Sequence, residues 1–456
     1  MAVKTQRAAS MTEGVIWKQL LLFFFPIMLG TFFQQLYNTV DAVVVGNYVG
    51  KEALAAVGGP TSTLINLVVG FFVGLSSGAT VIVSQYYGGG DVGQMSRAVH
   101  TSAALSLAGG LLMTVLGLVF SEPALVAMGT PADIMDFALT YIRIYFGGII
   151  FTMIYNVGSG ILRAVGDSRR PLYFLIVCCL VNVVLDLLFV VAFHWGVMGA
   201  ALATVLSQAA SAILVVVTLM RSNQGYRLYP KSIRIDLALL KSIIAIGIPA
   251  GLQSVLYSVS NLLIQASINS FGTDVVAAWT VYGKLDGFFW MTISAFGISI
   301  TTFSGQNFGA QQYDRMHRSV RVCLALTFGA TFFLSAVFLL CGQFFYRFFT
   351  PDEQVIYYGM EILRFLTPFY FTYVCIEILS GAIRGTGDSL VPTLITCFGV
   401  CVLRVVWVMA AVPVWPDVKT VIASYPITWT VASLMFIGYY LQGGWLRRRR
   451  KAVFGE

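Results

Sequence analysis

The residues best placed to do chemistry are acids and amides set inside apolar runs. Asp41 lies well within Leu20–Val45, LLLFFFPIMLGTFFQQLYNTVDAVVV, which is long enough to cross a bilayer at about 1.5 Å of rise per helical residue. A carboxylate at the centre of a spanning helix costs roughly 2.5 to 3.5 kcal/mol even on insertion-based scales, so it is expected to face a protein-lined or watery interior. Gln34, Tyr37 and Asn38 precede Asp41 by seven, four and three positions, which sets all four on one helical face. That face reads as one wall of an internal, substrate-lining cavity. A second acid stands in CCLVNVVLDLLFV, where Asn182 and Asp186 are four apart and stack on one face. Counted from Pro171, Asp186 lies about 22 Å along its helix, in the outer half of a hydrocarbon core roughly 30 Å thick. Asp41 and Thr204 reach comparable depth on their own helices.

Two carboxylates, a carboxamide and a hydroxyl can therefore converge. Such a cluster suits a small hard cation or a proton shared between acids, because neither anion is stable alone at low dielectric. Na⁺ at Asp41, Asn182, Asp186 and Thr204 is the metal reading, and no resident cofactor is expected. The structural alternative is a hydrogen-bonded clamp between helices with no exchangeable ion. Against it, no basic residue reaches that depth in this half; Arg143 sits nearer the outer surface.

The elements that carry these residues follow from composition. The chain has 456 residues, 58% hydrophobic and 11% charged, with a mean hydropathy of +0.82; an ordinary soluble chain is about 25% charged. This is the composition of an all-α polytopic membrane protein. Cutting apolar runs of spanning length at Gly, Pro and charge clusters gives about twelve helices, near 19–46, 54–82, 97–120, 136–162, 171–192, 197–220, 241–268, 275–303, 319–342, 356–383, 390–412 and 420–444. The first is too long for a signal peptide and lacks a small-residue cleavage pattern. The longest polar interruption, RSNQGYRLYPKSIRID (Arg221–Asp236), falls at the middle. It divides the chain into an amino-terminal lobe (1–220), a linker (221–240) and a carboxy-terminal lobe (241–456).

Most of the 28 Lys and Arg residues fall in the amino terminus, the even-to-odd loops, the linker and the tail Arg447–Lys451, whereas Lys51, Arg347 and Lys419 fall on the other side. Both termini are expected to be cytoplasmic. The basic tail reads as an anchor against anionic membrane lipids rather than a nucleic-acid patch. The seven cysteines form no CxxC and sit in apolar segments, as packing residues. His100, His194 and His317 are too scattered for a metal site. No nucleophile, base and orienter stand together at spanning depth, so an intramembrane enzyme is not indicated.

The halves repeat. Arg163–Pro171, RAVGDSRRP, recurs as Arg384–Pro392, RGTGDSLVP; Pro26 is matched by Pro249, and Arg143 by Arg364. An even number of helices per half makes the copies parallel, a transporter architecture. In the repeated turn, glycine permits the bend, Asp and Ser can cap the next helix, and proline suits its first turn. The chemistry is not duplicated, because the repeat maps Asn182 and Asp186 onto Leu403 and Trp407. The carboxy half instead carries Lys284, Asp286, Glu377 and Arg404, two charges of each sign. They read as an internal salt-bridge network, with a gate or substrate contact as the sharper alternative.

The run QQLYNTVDAVVVG (Gln34–Gly46), the segment GATVIVSQYYGGGD (Gly78–Asp91) and the paired RxxGDSxxP turns resemble the multidrug and toxic compound extrusion (MATE) family, in its bacterial branch of NorM, DinF and YoeA-like transporters. The resemblance covers nearly the whole chain. It implies two parallel six-helix bundles in a V-shaped fold within the bacterial plasma membrane. It also implies a monomeric secondary antiporter that exports cationic or amphipathic drugs in exchange for Na⁺ or H⁺. On that resemblance Asp41, Asn182, Asp186 and Thr204 form the amino-lobe cation or proton site, and Gln34 lines the same cavity. Pro26 is read as the hinge of the first helix, because proline weakens the local hydrogen-bond ladder. The seventh helix reads YSVSNLLIQ (Tyr257–Gln265) and carries no acid, so the resemblance does not extend to a second cation site there. The alternative function is a flippase for lipid-linked oligosaccharides, with Arg143, Arg364 and Arg404 as its candidate cations.

Overall fold

In a computed structural model, described over residues 11–455, the chain is helical almost throughout. Among the described residues, ten helices are long and apolar enough to span a membrane: α1 (Ile16–Tyr48), α2 (Lys51–Gly89), α3 (Val92–Ala127), α5 (Arg169–Ala192), α6 (Gly196–Arg221), α7 (Leu237–Asn269), α8 (Thr273–Gly309), α9 (Tyr313–Phe349), α11 (Leu390–Ala411) and α12 (Val418–Gln442). Two further spans are bent pairs, α4 (Ala132–Gly147 with Ile149–Ala164, 49°) and α10 (Glu353–Phe369 with Phe371–Gly385, 50°). A short basic helix, α13 (Gly444–Phe454), follows. The twelve expected spans are therefore all present, ten of them extended at one or both ends, α11 one residue shorter and α12 shifted two residues toward the amino terminus, and the protein is an integral membrane protein. The bends were not anticipated. In α4 the break falls at Gly147 and Gly148, and in α10 at the 3-10 turn Thr367–Phe369, which contains a proline.

Helix ends follow local chemistry. Asp91 caps α3 by accepting from the Gln94 N–H, and Asp352 caps α10 by accepting from Gln354 and Val355. The repeated turns both use a glycine in the left-handed region, Gly166 at φ 91° and Gly387 at φ 95°. Their acids diverge. Asp167 Oδ1 accepts from the Arg169 and Arg170 N–H groups, as a cap should, whereas Asp388 Oδ2 accepts from the Tyr439 hydroxyl at 2.8 Å. Neither Ser168 nor Ser389 makes a side-chain cap. The expected pairing of Asp and Ser as caps holds for Asp167 alone.

By packing, one compact unit comprises Phe23–Gly251 and another comprises Met11–Leu22 with Leu252 onward. The boundary thus falls inside α7, not in the linker at 221–240. Its cause is glycine on both α2 and α7: a Cβ on Gly74 would collide with the Gly251 backbone, one on Gly78 with the Ile243 carbonyl, and one on Gly247 would lie 2.6 Å from the Leu75 carbonyl oxygen. These bare contacts let two backbones close on each other, so the start of α7 packs with the first unit.

The linker is docked rather than loose. Tyr226 and Leu228 are buried in the core of the first unit, the Tyr229 N–H donates to His100 Nε2 at 3.0 Å, and Asp236 pairs with Arg97 on α3. His100 therefore belongs to α3 and serves as a buried anchor. In the second unit Arg315 holds the segment before α1, donating to the carbonyls of Met11 (3.1 Å), Glu13 (2.8 Å) and Gly14 (2.9 Å). Outward-facing apolar residues such as Leu111, Val119, Leu340 and Phe348 form the surface a hydrocarbon phase would cover.

Candidate functional site

In the first unit the acids of α1 and α5 are buried together with α4 and α6. Asp41 is 7% exposed, and Asn182 and Asp186 are 0% exposed. Tyr141 on α4 donates its hydroxyl to Asp41 Oδ2 at 3.4 Å and also meets Thr204 on α6. Asp41 is the charged neighbour that bears on Asp186. Around them Val44, Val190, Val197, Ala200 and Ala201 form an apolar wall. Thr204 Oγ1 donates to the Ala200 carbonyl at 3.1 Å, and its oxygen keeps lone pairs able to accept.

The polar atoms here lack partners. Asp41 Oδ1, both polar atoms of the Asn182 carboxamide and both Asp186 oxygens are buried with no hydrogen bond. No ion pair among the described residues includes any of these acids, and Arg143 is engaged elsewhere, with Glu122 at 2.9 Å on the exposed surface. Buried carboxylates without a fixed cation are costly. An oxygen-rich donor set of this kind fits Na⁺ or a shared proton.

The backbone beside the acids is irregular. Directly after Asp186, α5 widens into a π turn over Leu187–Ala192, and α2 has another over Val57–Thr61, where Gly59 and Pro60 break the regular ladder. One helical turn from the acids a second polar tier appears: Gln208 Nε2 on α6 donates to the Tyr37 hydroxyl at 3.1 Å. Tyr141 and Gln208 were missed in the sequence. Gln208 was legible as the residue four after Thr204, whereas Tyr141 carries no signal among the many aromatics of its helix.

The expected cavity face of α1 divides. Tyr37 and Asp41 are buried, whereas Gln34 and Asn38 are exposed. Gln34 approaches the Tyr37 hydroxyl, and Asn38 donates to Gln35 at 3.5 Å. Pro26 lies inside an uninterrupted α1.

The four charges of the second unit do not form the expected salt-bridge network. Lys284 is exposed. Asp286 is satisfied by neutral donors, Tyr370 Oη at 2.8 Å, Trp290 Nε1 at 2.7 Å and Tyr282 Oη at 3.4 Å. Glu377 accepts from Tyr373 at 3.4 Å. Arg404 donates to Asn261 Oδ1 at 3.2 Å and stacks on Tyr425 at 4.2 Å. Aromatic hydroxyls and an indole do what opposite charges were expected to do, since such donors satisfy a carboxylate without a second desolvated ion.

A bundle of long apolar spans, with an unneutralised acid pair held between helices, is the build of a membrane transporter. The chain matches the MatE family over residues 26–188 and 249–409 and belongs to it. Members of this family are transporters and not enzymes. The chain is similar to two proteins of Bacillus subtilis. With the probable multidrug resistance protein YoeA it shares 27% identity over 93% of each chain, and with the probable multidrug resistance protein YpnP 28% over 96% of this chain and 98% of that one. Its fold matches a crystal structure of MATE in the bent conformation with a TM-score of 0.90, at 22% identity, over 98% of this chain and 100% of that one.

Proposed function

We propose that the protein is a secondary active multidrug efflux antiporter, exporting cationic or amphipathic organic compounds in exchange for Na⁺ or H⁺ by alternating access. The observation that carries this reading is the buried set Asp41, Asn182 and Asp186, five of whose six side-chain polar atoms lack partners and whose acids lack a fixed cation. An exchangeable ion supplies the missing compensation. Na⁺ would be held by Asp41, Asp186, the Asn182 carbonyl oxygen and Thr204; a proton would be shared between the two acids. Neutralising the acids lets α1 repack against α5 and α6, with Pro26 as the pivot because it removes one ladder hydrogen bond. An organic cation and the coupling ion then compete for one negative charge, which is a direct route to antiport. The names of the relatives, multidrug resistance proteins, agree with the substrate class. The distribution of Lys and Arg supports cytoplasmic termini in the bacterial plasma membrane, and a monomer is the working assembly.

The test is ethidium efflux from vesicles carrying the protein, with the Na⁺ gradient and the pH gradient imposed separately. Efflux driven by one gradient and lost in Asp41→Asn is the expected result. Efflux under neither gradient, or unchanged efflux in that variant, would refute the proposal.

A further inference from the structure

The helices α1 and α2 are joined by the tight turn Val49–Gly50, so residues equidistant from it lie level with each other along the hairpin. A Cβ on Gly46 would lie 3.1 Å from the Leu54 side chain, which sets the pairing. Asp41 stands five positions before Gly46 and Gly59 five after Leu54, so the interrupted turn of α2 comes level with the acid. Gly59 leaves helical backbone angles there (φ −93°, ψ −109°), and Pro60 offers no N–H to the ladder, which a π turn carries past it.

Thr61 closes that turn, about 3 Å further along the axis at 1.5 Å per residue. It is 0% exposed, and its Oγ1 is buried with no hydrogen-bond partner among the described residues. Buried threonines in regular helix spend their hydroxyl four residues back: Thr80 on the Ser76 carbonyl at 3.2 Å, Thr204 on the Ala200 carbonyl at 3.1 Å. Within the widened turn Thr61 makes no such bond to Val57. Its direction is set by Val57 and Ile65, four residues to either side on the same face. Both pack in the cluster that holds Val44 and Val45, the turn after Asp41 on α1, and Tyr141, whose hydroxyl reaches Asp41. Of the helices in this cluster, α1, α4, α5 and α6 already bring polar atoms to the acids, and Thr61 is what α2 brings.

We propose that Thr61 Oγ1 is a further ligand of the coupling ion, completing the set of Asp41, Asn182, Asp186 and Thr204 from the α2 side, on the reading that this site exchanges such an ion. A hydroxyl oxygen coordinates a small hard cation directly and accepts from a protonated carboxyl, so the role holds for Na⁺ and for H⁺. A hydroxyl buried without a partner costs the empty site stability that a bound ion returns.

The test is thermal unfolding of the full-length protein in detergent, titrated with Na⁺ at constant ionic strength and separately with pH, for wild type, Thr61→Val, Thr61→Ser and Thr428→Val. Valine keeps the shape of threonine and removes the oxygen, whereas serine keeps the oxygen. The ion that stabilises wild type should need at least a fivefold higher concentration for half its effect in Thr61→Val and return to within twofold in Thr61→Ser. The midpoint of Thr61→Val in ion-free neutral buffer should not fall, because its hydroxyl has no partner to lose. Thr428 is a buried threonine of α12 bonded to its own helix, and Thr428→Val should leave the ion response unchanged. An unchanged half-effect concentration in Thr61→Val, no recovery in Thr61→Ser, a lower ion-free midpoint in Thr61→Val or an equal loss of response in Thr428→Val would each overturn the assignment. A wild type that responds to neither ion would overturn the exchange reading together with Thr61, whereas a responding wild type matched by Thr61→Val would overturn Thr61 alone.

Discussion

Replacing Asp186 by asparagine should separate the stability of the amino-terminal unit from its response to ions. Asp186 is fully buried, neither carboxylate oxygen has a partner, and Asp41 is the charge beside it. Each unsatisfied buried acceptor costs roughly 1 to 3 kcal/mol, and more when charged. A ligand that binds only the folded state adds about 2.7 kcal/mol at a hundred times its Kd. For a unit of this size 1 kcal/mol moves the unfolding midpoint by roughly 2 to 4 °C, so saturating ion should raise the wild-type midpoint by roughly 5 to 11 °C. Asp186→Asn keeps the shape and removes the charge. It should therefore unfold at a higher temperature than wild type in ion-free neutral buffer and lose most of the further gain. The assay is thermal unfolding in detergent, titrated first with Na⁺ at constant ionic strength and then with pH. Identical midpoints and identical ion responses in the two proteins would show that no exchangeable ion depends on this acid.

Four further outcomes are expected. Gln208→Leu leaves the buried Tyr37 hydroxyl without its 3.1 Å donor and should destabilise the first unit by about 1 to 3 kcal/mol, read as a lower unfolding midpoint. Gly78→Val drives a side chain into the α7 backbone and should sharply reduce the yield of folded protein on size-exclusion chromatography, whereas Gly438→Val, with open space around it, should not. The Asp236 carboxyl is held below the usual carboxylate range, first by the Leu239 N–H and then by Arg97. A depressed value stabilises the docked linker above the ordinary pKa and loses that support as pH falls through the lowered one. Hydrogen-exchange protection across 222–236, taken relative to the intrinsic rate at each pH, should fall on acidification, and Asp236→Asn should show low protection already at neutral pH. Arg315→Ala removes the donors that hold the carbonyls of Met11, Glu13 and Gly14 and should speed proteolysis of the segment before α1.

The spans were legible because hydrocarbon imposes length and apolarity on every crossing helix, a constraint written residue by residue. The acids Asp41 and Asp186 were legible for the same reason, as expensive exceptions within those runs. Tyr141 was not, because a tyrosine is at home both in a packed helix and at an ion site, and only tertiary packing directs its hydroxyl to Asp41. The charges of the second half misled because sequence counts signs but not neighbours. Asp286 found two tyrosines and a tryptophan, and Arg404 found an asparagine and a ring, partners that composition cannot assign to one acid or one base. The division inside α7 escaped for a similar reason. Gly74, Gly78, Gly247 and Gly251 look like scattered helix weakeners until two backbones meet over them.

The isolation of Asp41 and Asp186 from any fixed positive charge has an electrical consequence. Under the proposed exchange, a cation that enters the site carries its charge through part of the voltage drop across the membrane, and no fixed positive charge among the described residues is displaced by its arrival. A full crossing is worth about 2.3 kcal/mol per charge at 100 mV. Membrane voltage should thus help to load the site, but it drives the whole cycle only when the exported compound carries less positive charge than the ions that enter, because a one-for-one exchange of monovalent cations moves no net charge.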